Sequence, residues 1–176
     1  EHDHRKDSGV IRFGLAAVKG VGEKAVEQII KAREKAGYFK SLFHFCENVD
    51  LRAVNKQVLE ALIKGGAFDS SGGSRAQMMA GLERSMQMGA SMQSDAASGQ
   101  MNFFGDGGFG ASEQTDKQSL PDVQPWPEQM MLQFEKDVLG FYVTSNPLSK
   151  HAKMIDIYSS VNTSQLSAKS QGREVI

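Results

Sequence analysis

Apolar positions recur with helical spacing through most of the first 70 residues. Residues 13–19 predict a short helix and 22–36 a longer one. In the second, Val26, Ile29, Ile30 and Arg33 fall at i, i+3, i+4 and i+7, an apolar face edged by an arginine stem. Gly37 ends it. Phe39, Leu42, Phe43 and Phe45 predict an aromatic turn or short helix. Asn55 is placed to cap a further helix that buries Val58, Leu59, Leu62 and Ile63, and Gly65-Gly66 stops that helix. Ser74 predicts another cap, with a helix to about Met88. Much later, Pro127 suits a first helical turn. Met131, Phe134, Val138 and Phe141/Tyr142 continue an apolar face there, with Gln133, Glu135, Lys136 and Asp137 mostly outward. Asn146-Pro147 breaks the pattern. Arg173–Ile176 reads as the start of a strand. The chain is therefore expected to be mainly α.

Between these parts the periodicity is lost. Residues 85–119 hold 6 Gly, 6 Ser and 5 Gln, a composition that buries too little apolar area to offset ordering entropy. A flexible Gly/Ser/Gln-rich linker is expected, giving 1–9 as a polar end, 10–88 as a helical domain, 89–119 as linker and 120–176 as a helical connector. Phe103, Phe104 and Phe109 are the only aromatics between Asp69 and Pro125. An aromatic island in such a stretch is a candidate partner-binding peptide.

Charge and cysteine content narrow the function. The 176 residues carry a net charge of −1, which excludes a uniformly basic nucleic-acid binder but not a local basic patch. Residues 10–65 hold 10 Lys+Arg against 6 Asp+Glu, so a polyanion contact belongs there. A single cysteine, Cys46, excludes an intramolecular disulfide framework and a Cys-rich zinc site. No apolar run approaches the roughly 20 residues that span a bilayer, so no membrane role is expected. The polar start, Glu1-His2-Asp3-His4, is not a signal peptide and lacks Met. The expectation is a cytoplasmic piece of a longer chain.

The most informative segment is Leu15-Ala16-Ala17-Val18-Lys19-Gly20-Val21-Gly22-Glu23-Lys24-Ala25. It sets a Gly-Val-Gly turn between two helical patterns. The glycines permit positive φ and close backbone approach, and Val21 can anchor the turn in the core. Amides of the turn and of the next helix then converge on an anion, flanked by Lys19 and Lys24. Such a site grips a DNA phosphate without reading sequence. The alternative is a tight turn with ordinary cap glycines. A dinucleotide fingerprint is excluded, because no strand pattern precedes it and the spacing is wrong.

These residues resemble a family. Ile11-Arg12-Phe13-Gly14-Leu15 through Gly20-Val21-Gly22, Phe39–Phe43 with Phe45-Cys46, and Asn55–Asp69 look like the helix-hairpin-helix region of the bacterial DNA polymerase III alpha subunit. The likeness resumes at Glu135–Tyr142 and Asn146-Pro147-Leu148. It implies a tandem helix-hairpin-helix module contacting duplex DNA, followed by a connector toward an OB-fold. It maps the first phosphate site to Lys19, Gly20, Val21, Gly22 and Lys24. The second turn is Gly65-Gly66-Ala67, with Lys64 before it and Arg75 after; Ala67 stands where the pattern has its last glycine, and a purely structural second hairpin remains open.

Gln100-Met101-Asn102-Phe103-Phe104 resembles the pentapeptide by which bacterial polymerases bind the sliding clamp. Gln100 offers an amide that donates and accepts, Met101 an adaptable filler, and Phe103 and Phe104 large anchors for an apolar pocket. The alternative is that these Phe pack back on the helical part.

No cluster of carboxylates suited to two-metal chemistry is evident, so no catalytic residue and no metal ligand is assigned. Asp3 and Asp7 alternate with His2 and His4, but a solvated end accounts for them. By the resemblance, Mg2+ and DNA-directed DNA polymerase (nucleotidyltransferase) activity belong to the parent chain, and the partners are duplex DNA, the sliding clamp and other replisome subunits. Three functions are carried forward. The first is a non-catalytic, duplex-binding and clamp-tethering segment of the replicative polymerase. The second is the same segment of a translesion relative, which the Phe-containing peptide disfavours. The third is a helix-hairpin-helix module of a repair nuclease or scaffold, which the connector match at 135–147 argues against.

Overall fold

Ser41, Asn55 and Ser74 open three helices by one device. The N–H groups of a helix's first turn lack intrahelical acceptors, and a short polar side chain just outside supplies one. Ser41 Oγ accepts from His44 N at 3.1 Å, starting α2 (Leu42–Asn48). Asn55 Oδ1 accepts from Val58 N at 3.1 Å, starting α3 (Lys56–Lys64). Ser74 Oγ accepts from Gln77 N at 3.2 Å while Gln77 Oε1 accepts from Ser74 N at 2.9 Å, a reciprocal capping box that starts α4 (Arg75–Ala97).

The computed structural model describes residues 13–97 and 119–159. A 3-10 turn at Leu15–Ala17 precedes α1 (Glu23–Ala36), and a second at Asp69–Ser71 joins α3 to α4. After residue 119 come α5 (Glu128–Leu139), a 3-10 turn at Pro147–His151 and α6 (Ala152–Tyr158). No strand occurs among the described residues. The clamp-like peptide at 100–104 and the terminal 173–176 lie outside them, as do Asp3 and Asp7.

α2 packs along α4, α3 lies against α4 and α5, and α1 against α2. Phe45 stacks edge-on against Phe39 and Phe68, at 4.7 and 5.0 Å between ring centroids, and Leu42, Cys46, Leu59, Leu62 and Ile63 complete the interior. α6 buries none of its residues.

Three expectations are corrected. α1 buries Ala25, Ile29 and Ala32; of the expected face, Ile29 is buried and Val26 packs partly against the core, whereas Ile30 and Arg33 are exposed. Two alanines let α1 sit close to its neighbours, and small side chains carry little weight in a hydrophobic pattern. α4 does not stop near Met88 but runs to Ala97, taking the start of the expected linker into helix. The stretch has a partner that composition hides. Gly89 lies against the Cys46 carbonyl, and Gln93 Nε2 donates to the carbonyls of Cys46 and Val49 at 2.9 and 2.8 Å. Finally, Glu135 is not outward. It is fully buried on the face that also buries Leu132.

Candidate nucleic-acid interface

The first hairpin turn is built from a buried valine between two exposed glycines. Val21 is 5% exposed and holds the turn to the core. Gly20 has φ +88°, a left-handed conformation that favours glycine. Gly22 is the N-cap of α1 and brings no side chain to that role, unlike the residues that open α2, α3 and α4. An acceptor for the first amides of α1 must therefore come from outside the helix.

Which amides remain is specific. Lys19 N donates to the Val138 carbonyl at 2.8 Å, and Val21 N to the Val18 carbonyl at 3.0 Å. Those two amides of the turn are occupied. Ala25 and Val26 already donate to the Gly22 carbonyl, at 3.0 and 3.2 Å. The amides of Gly22, Glu23 and Lys24 are the ones that helix geometry leaves for an incoming anion. These amides cluster at the helix start, beside the exposed Gly20 of the turn. Lys19 and Lys24 are exposed beside it, and among the described residues neither forms an ion pair. Glu23 is the one acidic residue in this first helical turn.

The second turn is occupied by protein. A Cβ on Gly65 would stand 3.4 Å from Leu139 Cδ2 and 3.5 Å from Val138 Cγ2, both on α5. Gly66, at φ +81°, has no room for a Cβ, which would stand 2.8 Å from both Arg75 Cζ and Asp69 Oδ2. Lys64 Nζ sits 5.3 Å over the Phe134 ring, a cation–π contact.

Arg75 is corrected from a DNA contact to a buried clamp. Its side chain is 7% exposed. Nε and Nη2 donate to the two Asp69 carboxylate oxygens at 2.8 and 2.6 Å, a bidentate pair. Nη1 donates to Glu135 Oε1 at 2.9 Å and to the Lys64 carbonyl at 3.2 Å. Nη2 also donates to the Thr144 hydroxyl at 3.3 Å, so all five N–H groups are engaged and none is left to offer a phosphate. Glu135 accepts further from Val143 N at 2.7 Å, Thr144 N at 3.0 Å and the Thr144 hydroxyl. Burial pushes the Glu135 carboxyl up, but the Thr144 hydroxyl and amide, the Val143 amide and Arg75 outweigh it, leaving it below the ordinary carboxylate range. The Asp69 pair raises the Arg75 pKa further, against burial, and Glu135 adds to it.

The sequence contained a signal for this cluster. Glu135 lies three residues after Leu132 and four before Leu139, a carboxylate inside an apolar stripe. Such a group is buried only with a partner. Elsewhere, His44 Nδ1 accepts from Lys40 N at 3.3 Å, and the ring packs edge-on to Phe39. Burial, with Glu47 nearby, pushes the Cys46 thiol up to about 12. Among the described residues no three His, Cys, Asp or Glu side chains gather to hold a metal ion. No helix among them is long and apolar enough to cross a membrane.

The family described as helix-hairpin-helix motif matches residues 1–78. The chain is 40% identical over 157 residues to the DNA polymerase III subunit alpha of Escherichia coli (strain K12), covering 89% of this chain and 13% of that protein. It is 40% identical over 154 residues to the subunit of the same name in Vibrio cholerae, covering 88% and 13%. With the Pasteurella multocida subunit, identity is 36% over 172 residues, covering 98% and 15%. The chain thus spans about an eighth of the length of these relatives.

Proposed function

We propose, from the premise that this chain belongs with the DNA polymerase III alpha subunits as the homologue of one helix-hairpin-helix segment, that it holds the backbone of duplex DNA behind a replicative polymerase's active site and ties that polymerase to a sliding clamp. One observation carries the DNA part. α1 starts at a glycine with no side-chain cap, between two exposed lysines. A phosphate oxygen there would take the helix-start amides and the positive end of the dipole. Backbone amides and lysines that meet phosphate carry no base information, so such binding is sequence-independent. The second turn, with Lys64, Gly65 and Gly66, supports the first by packing. The nucleotidyl transfer and its Mg2+ belong to the parts of the polymerase beyond this segment.

The clamp part rests on the sequence Gln100-Met101-Asn102-Phe103-Phe104. It favours the replicative reading over a translesion one. A repair-nuclease or scaffold origin is disfavoured because the similarity continues through α5.

Binding of a fluorescent duplex, titrated from low to moderate salt, tests the phosphate site. Lys19→Ala plus Lys24→Ala is expected to weaken binding equally for unrelated sequences and to flatten the log–log salt slope by about 0.9 per lost contact. An unchanged slope overturns the assignment. For the tether, Phe103→Ala plus Phe104→Ala is expected to abolish capture by a purified bacterial sliding clamp; retained capture removes the peptide from the interface.

A further inference from the structure

α5 touches both hairpin turns. At its C-terminal end, helix carbonyls run out of intrahelical donors, and the Val138 carbonyl takes Lys19 N at 2.8 Å. That amide belongs to the turn proposed to hold phosphate. Beside it, Phe13 and Phe141 pack edge-on at 4.9 Å, so the residues entering the first hairpin and those leaving α5 run together. Val138 and Leu139 close over Gly65 of the second turn, and Phe134 lies under Lys64. One side chain ties α5 both to α4 and to the segment that follows it. Glu135 joins α5 to Arg75 at the start of α4, and through its other oxygen holds the amides of Val143 and Thr144 just past the helix end.

We infer that Glu135 is a positioning residue for duplex binding: by seating α5, it places the Val138 carbonyl that fixes the Lys19 turn, although Glu135 touches no DNA. This rests on the phosphate reading above. The physical basis is that a turn entered through glycines has little rigidity of its own. A hydrogen bond from outside the hairpin removes freedom that the bound state would otherwise have to remove, so the pre-ordered turn binds more tightly. The chain between α4 and α5 then matters for DNA affinity, because α5 must return to the hairpins before the phosphate site is complete.

The test uses the whole 176-residue chain, with amide exchange and duplex binding measured together. Glu135→Ala is the direct variant. Leu139→Ala loosens the same helix end without leaving Arg75 short of a partner, and serves if the first fails to fold. In either, Lys19 N–H exchange is expected to accelerate relative to Leu62 in α3, and duplex affinity to fall by about two- to thirtyfold, the range of coupling through packed elements. An unchanged Lys19 exchange rate overturns the proposal, and so does an accelerated one with unchanged affinity. Equal acceleration at Lys19 and Leu62 would mark general loosening of the chain and overturns it too. If the wild-type chain shows no salt-dependent duplex binding, or if the lysine variant binds as well as wild type, the phosphate reading itself has failed.

Discussion

Glu23 stands in the first turn of α1, where its carboxylate favours the helix and opposes an anion. The two effects separate by measurement. Replacing it by Gln removes a favourable charge–dipole interaction worth about 0.3–1 kcal/mol, so the chain is expected to unfold at slightly lower urea. If a phosphate sits at this helix start, the same variant binds duplex more tightly at low salt. Weaker or unchanged binding would place the phosphate elsewhere. Gly89 is constrained differently. A methyl group there would press on the Cys46 carbonyl carbon at 2.6 Å and its Cβ at 2.9 Å, and backbone does not yield as a flexible side chain does. Gly89→Ala is expected to destabilise by about 1–3 kcal/mol, read from the urea midpoint. Cys46, with its pKa near 12 and no exposed surface, is expected to resist a thiol-specific maleimide at pH 8 until the chain is unfolded. Rapid native labelling would show α2 and α4 parting readily.

The join between α4 and α5 is the ion pair of Arg75 and Glu135, and its worth depends on how it is broken. Arg75→Met leaves a buried carboxylate uncompensated and is expected to cost about 3–5 kcal/mol; pairing it with Glu135→Leu should recover much of that. The pH response follows from the direction of the Glu135 shift. Its folded pKa lies below the ordinary value of 4.5, so its contribution is complete above that value and is lost as pH falls through the folded one. The wild type should therefore lose stability below pH 4.5 more steeply than the double variant; parallel acid limbs would show that Glu135 contributes no such linkage. Sequence pattern showed these elements unevenly. The caps at Asn55 and Ser74, the buried face of α3 and the glycine stops were legible because each is a local signal within one turn. The buried face of α1 is only partly legible, because Ala25 and Ala32 set it beside Ile29. The length of α4 was misread because its last turns are held by carbonyls of α2, more than 40 residues earlier. Arg75 was misread because its partners, Asp69 and Glu135, meet it only in the folded chain, and a basic residue after a glycine turn looks the same whether it faces solvent or a carboxylate.

At the scale of the molecule, two weak grips are proposed to act on one object. The candidate clamp peptide begins at Gln100, three residues past the end of α4 at Ala97, so it is covalently close to the helices that carry the hairpins. A clamp that encircles the duplex presents both ligands together, and the second contact then forms at a high effective concentration. The gain depends on geometry alone: it can reach about 10²–10⁴ over either contact, and it vanishes if the two sites cannot be engaged at once. Affinity of the whole chain should be measured for duplex, for free clamp and for clamp loaded on a closed circular duplex. The loaded form is expected to bind far more tightly than either alone. Phe103→Ala/Phe104→Ala should reduce it to the level of bare duplex, and Lys19→Ala/Lys24→Ala to that of free clamp, with neither pair altering the other's single contact. If the loaded form binds no better than the stronger single ligand, the peptide and the start of α1 serve different complexes, and processivity must be sought outside this segment.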